Sequence, residues 1–202
     1  MDWDASQRAC IGASQSDRLI IEAPPGHGKT AVVCGRVKYL VEDLEVAPVN
    51  IWIFSFTRTA VQEIRDRIGE FLEEPDLVYE LKISTIDSSM WNLTSGFDQS
   101  ISAGDQFLSG YDVNIDKAIQ LIDDRHQDVL EFFQEIEHVI IDEAQDVENN
   151  RSDLIEKILG TLSVSCGFTI LGDLAQSIYG FNSDMQGNNF LAKVLKKREI
   201  TQ

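Results

Sequence analysis

The amino-acid sequence predicts an α/β fold, a parallel β-sheet flanked by helices. Five short apolar runs lie along its 202 residues, helical patterns separate most of them, and a glycine-rich loop follows the first run. The runs are continuous rather than alternating, which is typical of parallel strands covered on both faces. Strand and helix in alternation indicate right-handed βαβ units in a doubly wound sheet.

Each element can be placed from its own pattern. The apolar runs predict strands at 18–23, 51–56, 81–85, 138–142 and 168–173. Helical spacing predicts helices at 29–44, 59–74 and 152–162, the second ending before a proline. Residues 86–137 differ, because they begin polar and rich in glycine and serine and then predict one amphipathic helix over 115–136. We expect a single domain over 1–202, with a short, mainly helical insertion at 86–137.

Charge and composition exclude several classes of protein. The net charge is -17, whereas a surface built to bind phosphate backbones is basic, so any nucleic-acid contact must come from a local patch or from parts of the protein outside this chain. No apolar run reaches 18 residues and no signal-peptide pattern opens the chain, so we expect a cytoplasmic protein with no membrane partner. Cys10, Cys34 and Cys166 lack CxxC spacing and predict small, partly buried side chains in a reducing compartment.

The loop "APPGHGKT" at 23–30 carries the clearest chemistry. Gly26 and Gly28 allow backbone N–H groups to point inward at phosphate oxygens. Lys29 can reach β- and γ-phosphates, and the Thr30 hydroxyl can bind Mg²⁺. The pattern GxxxxGK[ST] nevertheless fails at its first position, Ala23, so a glycine turn that only caps the next helix is the alternative.

A pair of carboxylates follows the fourth predicted strand. In "HVIIDEAQD", Asp142 and Glu143 lie 112 residues or more beyond Thr30. An aspartate in this position of a phosphate-binding enzyme holds the metal, and a neighbouring glutamate can orient and deprotonate the attacking water. The alternative is that the two acids cap a helix.

Six motifs in order make a family resemblance plain. They are "SQRAC", "APPGHGKT", "FSFTRTAVQEIRDRI", "ISTIDSS", "IIDEAQD" and "LGDLAQSIYGFNSD". The chain resembles the N-terminal RecA-like ATPase core domain, a P-loop NTPase, of UvrD/Rep-type superfamily 1A DNA helicases. The resemblance covers nearly the whole chain.

The resemblance implies ATP and Mg²⁺ as cofactors and gives roles to particular residues. Gln7 would contact the adenine edge, although it could also be an exposed helix residue. The implied catalytic residues are Lys29, Asp142, Glu143 and Gln176, and the implied metal ligands are Thr30 and Asp142. The implied nucleotide-binding residues are Gln7, Pro25, Gly26, His27, Gly28, Lys29, Thr30 and Ala31.

The resemblance also implies contacts with single-stranded DNA. Its implied residues are Phe56, Thr57, Arg58, Tyr179 and Phe181. Aromatic stacking suits a sequence-tolerant site, because every base has a π-face. Phe56 could instead be a core residue at a strand end, and Phe181 could pack under a loop.

Four features depart from the family pattern. Pro24–Pro25 replace a Gly-Ala pair and remove an N–H donor, so only the amides from Gly26 onward can form the cradle. Asp87 stands where the family usually offers histidine to the DNA backbone, and a carboxylate there would repel phosphate. Ala31 follows the GKT where relatives often place arginine. Only 48 residues separate Ser89 from His138, which is short for the family's inserted DNA-binding subdomain.

The sequence therefore predicts the ATPase core of a helicase or translocase that moves 3′-to-5′ on single-stranded DNA. The second RecA-like domain is expected to be absent from this chain and to come in cis or from a partner subunit. We expect the chain alone to bind nucleotide weakly and hydrolyse it slowly. The alternatives are a helicase-like regulatory ATPase that controls a partner, for which a nuclease is the candidate, and a degenerate nucleotide-binding fold with a structural role.

Overall fold

A five-stranded parallel sheet forms the centre of the computed structural model, which describes residues 2–97, 110–173, 175–176 and 189–200. The strands are β1 (Arg18–Glu22), β2 (Ile51–Ser55), β3 (Lys82–Thr85), β4 (His138–Ile141) and β5 (Gly167–Gly172). They lie in the order β1-β5-β4-β2-β3, and every pair is parallel. All five predicted strands are confirmed, with ends that differ by no more than one residue.

Helices connect and cover the strands. They are α1 (Ala5–Ile11), α2 (Lys29–Lys38), α3 (Arg58–Phe71), α4 (Ile86–Phe97), α5 (Gly110–Asp123), α6 (Gln127–Glu135), α7 (Asn149–Thr161) and α8 (Phe190–Ile200). A π-helical turn at Tyr39–Asp43 extends α2, and short 3₁₀ turns lie at Pro48–Asn50, Pro75–Tyr79 and Ala144–Asp146. Among the described residues, no helix is both long and apolar enough to cross a lipid bilayer.

The core has two parts, one on each face of the sheet. Successive strand residues point to opposite faces, so Trp52 and Phe54 enter one part while Ile51 and Ile53 enter the other. Apolar residues of α4 to α8 form the first part with the sheet. Residues of α2, α3 and the 3₁₀ turn Pro75–Tyr79 form the second. The predicted α/β fold with helices on both faces is therefore confirmed.

The prediction of one helix over 115–136 is wrong. The chain turns between α5 and α6, where Arg125 adopts a left-handed φ of 54°. A straight helix of that length would extend for about 33 Å, longer than this small sheet can cover. The turn allows Ile122 of α5 and Val129 of α6 to enter the same core. The sequence also failed to predict α4, whose Met90 is fully buried.

The cysteines act as packing residues. Cys34 and Cys166 are buried, Cys10 is half-buried, and all three are free thiols. Burial raises the pKa of Cys34 to about 12 and that of Cys166 to about 11. Such thiols are poor nucleophiles, because the thiolate is the reactive form.

Candidate active site

The glycine-rich loop joins the carboxyl end of β1 to the start of α2. Gly26 and Gly28 have φ of 77° and 79°, a left-handed conformation that only glycine adopts without a penalty. Gly28 is the N-cap of α2, so the positive end of the helix faces the loop. Pro24 and Pro25 are exposed, and the His27 N–H donates to the Pro24 carbonyl oxygen at 3.4 Å.

Lys29 is held inside this loop. Only 7% of its surface is exposed, and its Nζ donates to the Ala23 carbonyl oxygen at 3.2 Å. The same nitrogen lies 3.7 Å from Glu143 Oε2. The ammonium therefore joins the loop to the carboxylate pair predicted to work with it.

That carboxylate pair ends β4, two strands away from β1 in the sheet. Asp142 is 4% exposed, and burial, with a smaller effect of the neighbouring Glu143, raises its pKa to about 6. Glu143 has a left-handed φ of 53°, an uncommon conformation for a side chain of this size. Strained backbone of this kind clusters at functional sites.

Gln145 connects the carboxylates to the segment after β5, and the sequence did not point to it. Its Nε2 donates to Glu143 Oε2 at 2.5 Å and approaches Gln176 Oε1 at 3.5 Å. Its Oε1 accepts from the Asp173 N–H at 3.0 Å, and its carbonyl oxygen accepts from Asn189 Nδ2 at 2.6 Å. A polar side chain with 4% exposure and this many partners fixes the positions of the groups around it.

These groups surround one cavity of about 420 Å³. The predicted residues that line it are Pro25, Gly26, Gly28, Lys29, Thr30, Ala31, Glu143 and Gln176. Gln145, Asp146 and Arg67 of α3 also line it, and the sequence did not indicate these three. The Arg67 guanidinium pairs with Glu63 at 3.3 Å and supplies a cation to a cavity in which Ala31 offers none.

The predicted metal ligands fit a divalent cation. Asp142 Oδ1 is buried and has no hydrogen-bond partner among the described residues. A buried carboxylate oxygen without a donor is costly unless a cation balances it. Thr30 lines the cavity, whereas Asp142 is next to the lining residue Glu143 and is not itself part of the lining. The Thr30 hydroxyl is a hard oxygen ligand of the kind Mg²⁺ prefers.

The predicted adenine contact lies beside the cavity rather than in its wall. Gln7 is in α1, and its Nε2 donates to the His27 carbonyl oxygen at 3.4 Å. His27 in turn places its Nδ1 3.1 Å from the Pro25 carbonyl oxygen. Gln7 and His27 therefore lie at the entrance to the phosphate loop.

Three of the five residues predicted to contact DNA follow β2 directly. Phe56 is 48% exposed, so it is not a core residue. Thr57 is the N-cap of α3, where its Oγ1 accepts from the Ala60 N–H at 3.1 Å, and Arg58 is exposed at the start of that helix. Tyr179 and Phe181 lie outside the described residues.

Asp87 has a cationic partner within the chain. Its Oδ1 lies 2.6 Å from Arg151 Nη2 and its Oδ2 3.4 Å from Arg151 Nε, while Arg151 Nη1 lies 3.0 Å from Asp112 Oδ1. The guanidinium of α7 thus shares two carboxylates, one from α4 and one from α5. Because two carboxylates share one guanidinium, the group formed by Asp87, Arg151 and Asp112, here called the anionic corner, has a net negative charge.

Comparison with known proteins finds a family model over most of the chain and relatives that are named as ATP-dependent DNA helicases. The family model described as an AAA domain matches residues 6–182. A protein of Acanthamoeba polyphaga mimivirus named as an ATP-dependent DNA helicase is 30% identical over 181 residues, which cover 87% of this chain and 25% of the relative. The ATP-dependent DNA helicase PcrA of Leuconostoc citreum is 42% identical over 67 residues, 33% of this chain and 9% of the relative.

A third relative carries a second activity in its name. This component of an ATP-dependent helicase/nuclease of Oceanobacillus iheyensis is 24% identical over 211 residues, which cover 100% of this chain and 16% of the relative. The chain thus spans a quarter or less of the length of these three relatives. With the family match over most of its length, the chain belongs to this AAA-domain family and corresponds to the N-terminal core domain of UvrD/Rep-type superfamily 1 proteins.

Proposed function

We propose that the chain is the ATP-binding and ATP-hydrolysing core of a DNA helicase or translocase. The convergence of Lys29, Glu143 and Gln176 on one cavity beside the phosphate loop carries this proposal. Movement in the 3′-to-5′ direction on single-stranded DNA is what the resemblance implies. A second RecA-like domain, in cis or from a partner subunit, would complete the machine.

Nucleotide binding would use groups that are already in place. Backbone N–H groups from Gly26 onward and the amino end of α2 would bind phosphate oxygens. Lys29 would exchange the Ala23 carbonyl oxygen for the β- and γ-phosphates. Bound Mg²⁺, held by Thr30 and Asp142, would neutralise charge on the phosphates.

Hydrolysis would then depend on Glu143. Its carboxylate would orient the attacking water and accept its proton. The hydrogen bond from Gln145 Nε2 to Oε2 holds that carboxylate, and a phosphate that draws Lys29 away would remove the ion pair from the same oxygen, whose remaining lone pair could then accept from the water. Gln176, next to Gln145, would respond to the γ-phosphate and convey the nucleotide state to the DNA-contacting segments.

Calorimetry and phosphate release on the 202-residue chain test this proposal. We expect the chain alone to bind Mg·ATP weakly and to hydrolyse it slowly. Slow hydrolysis is expected because an arginine from a second domain or protein can raise the rate of phosphoryl transfer by about 10³–10⁵. The full-length protein is expected to hydrolyse ATP faster when single-stranded DNA is added. Absence of ATP binding by both proteins would contradict the proposal, and vigorous DNA-stimulated hydrolysis by the chain alone would contradict its need for a second domain.

The second candidate is a regulatory ATPase that controls a partner, such as a nuclease, without unwinding DNA. The anionic corner formed by Asp87, Arg151 and Asp112 favours it, because the residue that should approach the DNA backbone is committed to an internal ion pair. The net charge of -17 agrees. Strand displacement by the full-length protein separates the candidates, since the regulatory function predicts ATP hydrolysis without displacement.

A further inference from the structure

The helix that carries Gln7, α1, depends on contacts with the rest of the fold for its position. Helix α1 has seven residues, none of them buried. A helix of this length is unstable alone in water, because nucleation costs more than so few hydrogen bonds return. Its place in the fold must be set by the residues beneath it and by the segment that follows.

The side chain of Gln7 has a defined orientation. Gln7 Oε1 accepts from the Asp4 N–H at 3.1 Å, and the Gln7 N–H donates to Asp4 Oδ1 at 2.8 Å, which together form a capping box. The Nε2 group consequently points toward His27 in the phosphate loop. An amide fixed in this way still has its second N–H and its second lone pair, in a set order that suits one base edge and not its inverse.

Arg36 anchors the carboxyl end of α1. It lies in α2, two turns beyond Lys29, and is fully buried. Its Nη1 donates to the carbonyl oxygens of Ile11, at 2.9 Å, and Ala13, and its Nη2 donates to that of Ser14 at 2.7 Å. These carbonyls end α1 and begin the following loop, so one buried guanidinium joins the Gln7 helix to the phosphate-loop helix.

Gly35 provides the surface on which α1 rests. A Cβ at this position would lie 2.8 Å from Ile11 Cδ1 and 3.1 Å from Trp3 Cζ2. Ile11 of α1 and Trp3, which precedes that helix, therefore approach α2 at distances that only a glycine at position 35 permits. The distances at Gly35 and the hydrogen bonds of Arg36 set one docked position for α1.

We propose that Gly35 and Arg36 are positioning residues for base recognition: they place Gln7 beside the phosphate loop and thereby determine the preference for adenine, without contributing to phosphate binding. The inference rests on the proposed function and adds to it the source of nucleobase selectivity. Neither residue lines the cavity that would receive the phosphates.

The test compares three ligands on matched variants of the chain. Calorimetry in the presence of Mg²⁺ measures the Kd of ATP, of GTP and of inorganic tripolyphosphate. In the wild type we expect ATP to bind about tenfold more tightly than GTP, equivalent to about 1.4 kcal/mol. Gly35→Ala should remove that preference and leave the Kd of tripolyphosphate within about twofold of the wild-type value.

Rescue distinguishes positioning from general damage. The Gly35→Ala methyl meets Ile11 most closely, so adding Ile11→Ala removes the shortest contact, leaves Trp3 Cζ2 at 3.1 Å, and should restore most of the preference for ATP. Gln7→Ala should abolish the preference alone, and combining it with Gly35→Ala should cause no further loss. Arg36→Lys keeps the positive charge but has fewer N–H donors, so it should also reduce the preference for ATP over GTP.

Each contrary result has a clear meaning. An equal loss of ATP and tripolyphosphate affinity in Gly35→Ala would overturn the inference, because the contact would then support the whole phosphate loop. Equal wild-type affinity for ATP and GTP would overturn the inference and leave the proposed function intact. Failure of the wild type to bind any of the three ligands would overturn both.

Discussion

The end of the sheet where the parallel strands finish, the carboxyl edge, differs from the end where they begin, the amino edge, in whether its buried polar groups are hydrogen-bonded. At the carboxyl edge, Asp142 Oδ1, Asp173 Oδ2 and Ser55 Oγ are buried without a hydrogen-bond partner in the described part of the chain. At the amino edge, His138 Nδ1 donates to the Gln15 carbonyl oxygen at 2.8 Å, and its Nε2 lies 3.0 Å from Thr169 Oγ1. The Glu137 carboxylate there accepts from the side chains of Gln15 and Asn50 at 2.7 and 2.8 Å.

The difference distinguishes the edge that we propose to bind ligand from the edge that stabilises the fold. Leaving a buried polar group unpaired costs about 1–3 kcal/mol. Ligand and metal can recover that cost at the carboxyl edge, where clefts of open parallel sheets bind their substrates. At the amino edge the same kinds of residues are already paired within the chain, so they stabilise the fold without a ligand.

The largest effect is expected from Glu143→Gln at the carboxyl edge. The amide keeps the size of the side chain but cannot accept a proton from water, so ATP hydrolysis should fall by about 10²–10⁴. Nucleotide affinity should change little. Phosphate release under single-turnover conditions measures the rate, and Glu80→Gln, an exposed acid before β3, is the matched control. A parallel loss of affinity would mean that Glu143 binds rather than catalyses.

Lys29→Ala should weaken ATP binding by about 2–5 kcal/mol, since truncation removes a buried cation that phosphates would need. Lys38→Ala, at the opposite end of α2, should leave the Kd unchanged. Calorimetry with Mg·ATP compares the two variants. Retention of ATP binding in Lys29→Ala would restore the interpretation of a degenerate, structural nucleotide fold.

At the amino edge the expected effect is on stability. Burial, with a smaller contribution from Arg36, lowers the pKa of His138 to about 4. The folded pKa is below the unfolded value, so the unfolded state binds the proton more readily and stability falls as the pH drops from about 6.5 to 4. The full effect is about 3 kcal/mol.

Urea unfolding across that pH range tests this expectation. Relative to His138→Gln, the wild type should lose stability as the pH falls, and both should share any change that arises from other groups. His27→Gln, at an exposed position of the loop, should behave as the wild type. Identical pH profiles for wild type and His138→Gln would show that the amino edge does not depend on a neutral histidine.

The smallest effect is expected from Pro24→Gly combined with Pro25→Ala. Both prolines precede the amides that would bind phosphate, so ATP affinity should change by less than about tenfold, or 1.4 kcal/mol. Calorimetry on the double variant measures it. A larger change in either direction would show that the prolines contribute directly to nucleotide affinity.

The strands could be predicted because continuous apolar runs report burial directly. The turn at Arg125 could not, because the apolar spacing continues across it and the segment "DDRHQD" contains neither glycine nor proline. Only the limited width of the sheet makes the chain reverse there. Helix α4 was missed for a related reason. Its many polar residues are typical of a loop, and only the fold shows that Met90 and its apolar neighbours are packed in the core.

The site was predicted in part. Motif spacing pointed to Lys29 and Glu143, whereas Arg67 and Gln145 became evident only when the fold brought α3 and the 3₁₀ turn to the cavity. Arg36 did leave a signal, because it lies among Val32, Val33 and Val37 of a buried helix. A lone cation within an apolar stretch indicates a required partner, although the sequence cannot say which carbonyls provide it.

The close contact above Gly35 also has an optical consequence. Trp3 lies against α2 there, with its ring 6.2 Å from that of Phe71, while Trp52 is 3% exposed and 4.5 Å from Phe54 inside the core. Tryptophan emission depends on exposure to water, so undocking of α1 should change the Trp3 signal while Trp52 changes only when the whole domain unfolds. Of the three tryptophans in the chain, which include Trp91 of α4, Trp3 is therefore the one placed to report on the helix that would contact the base.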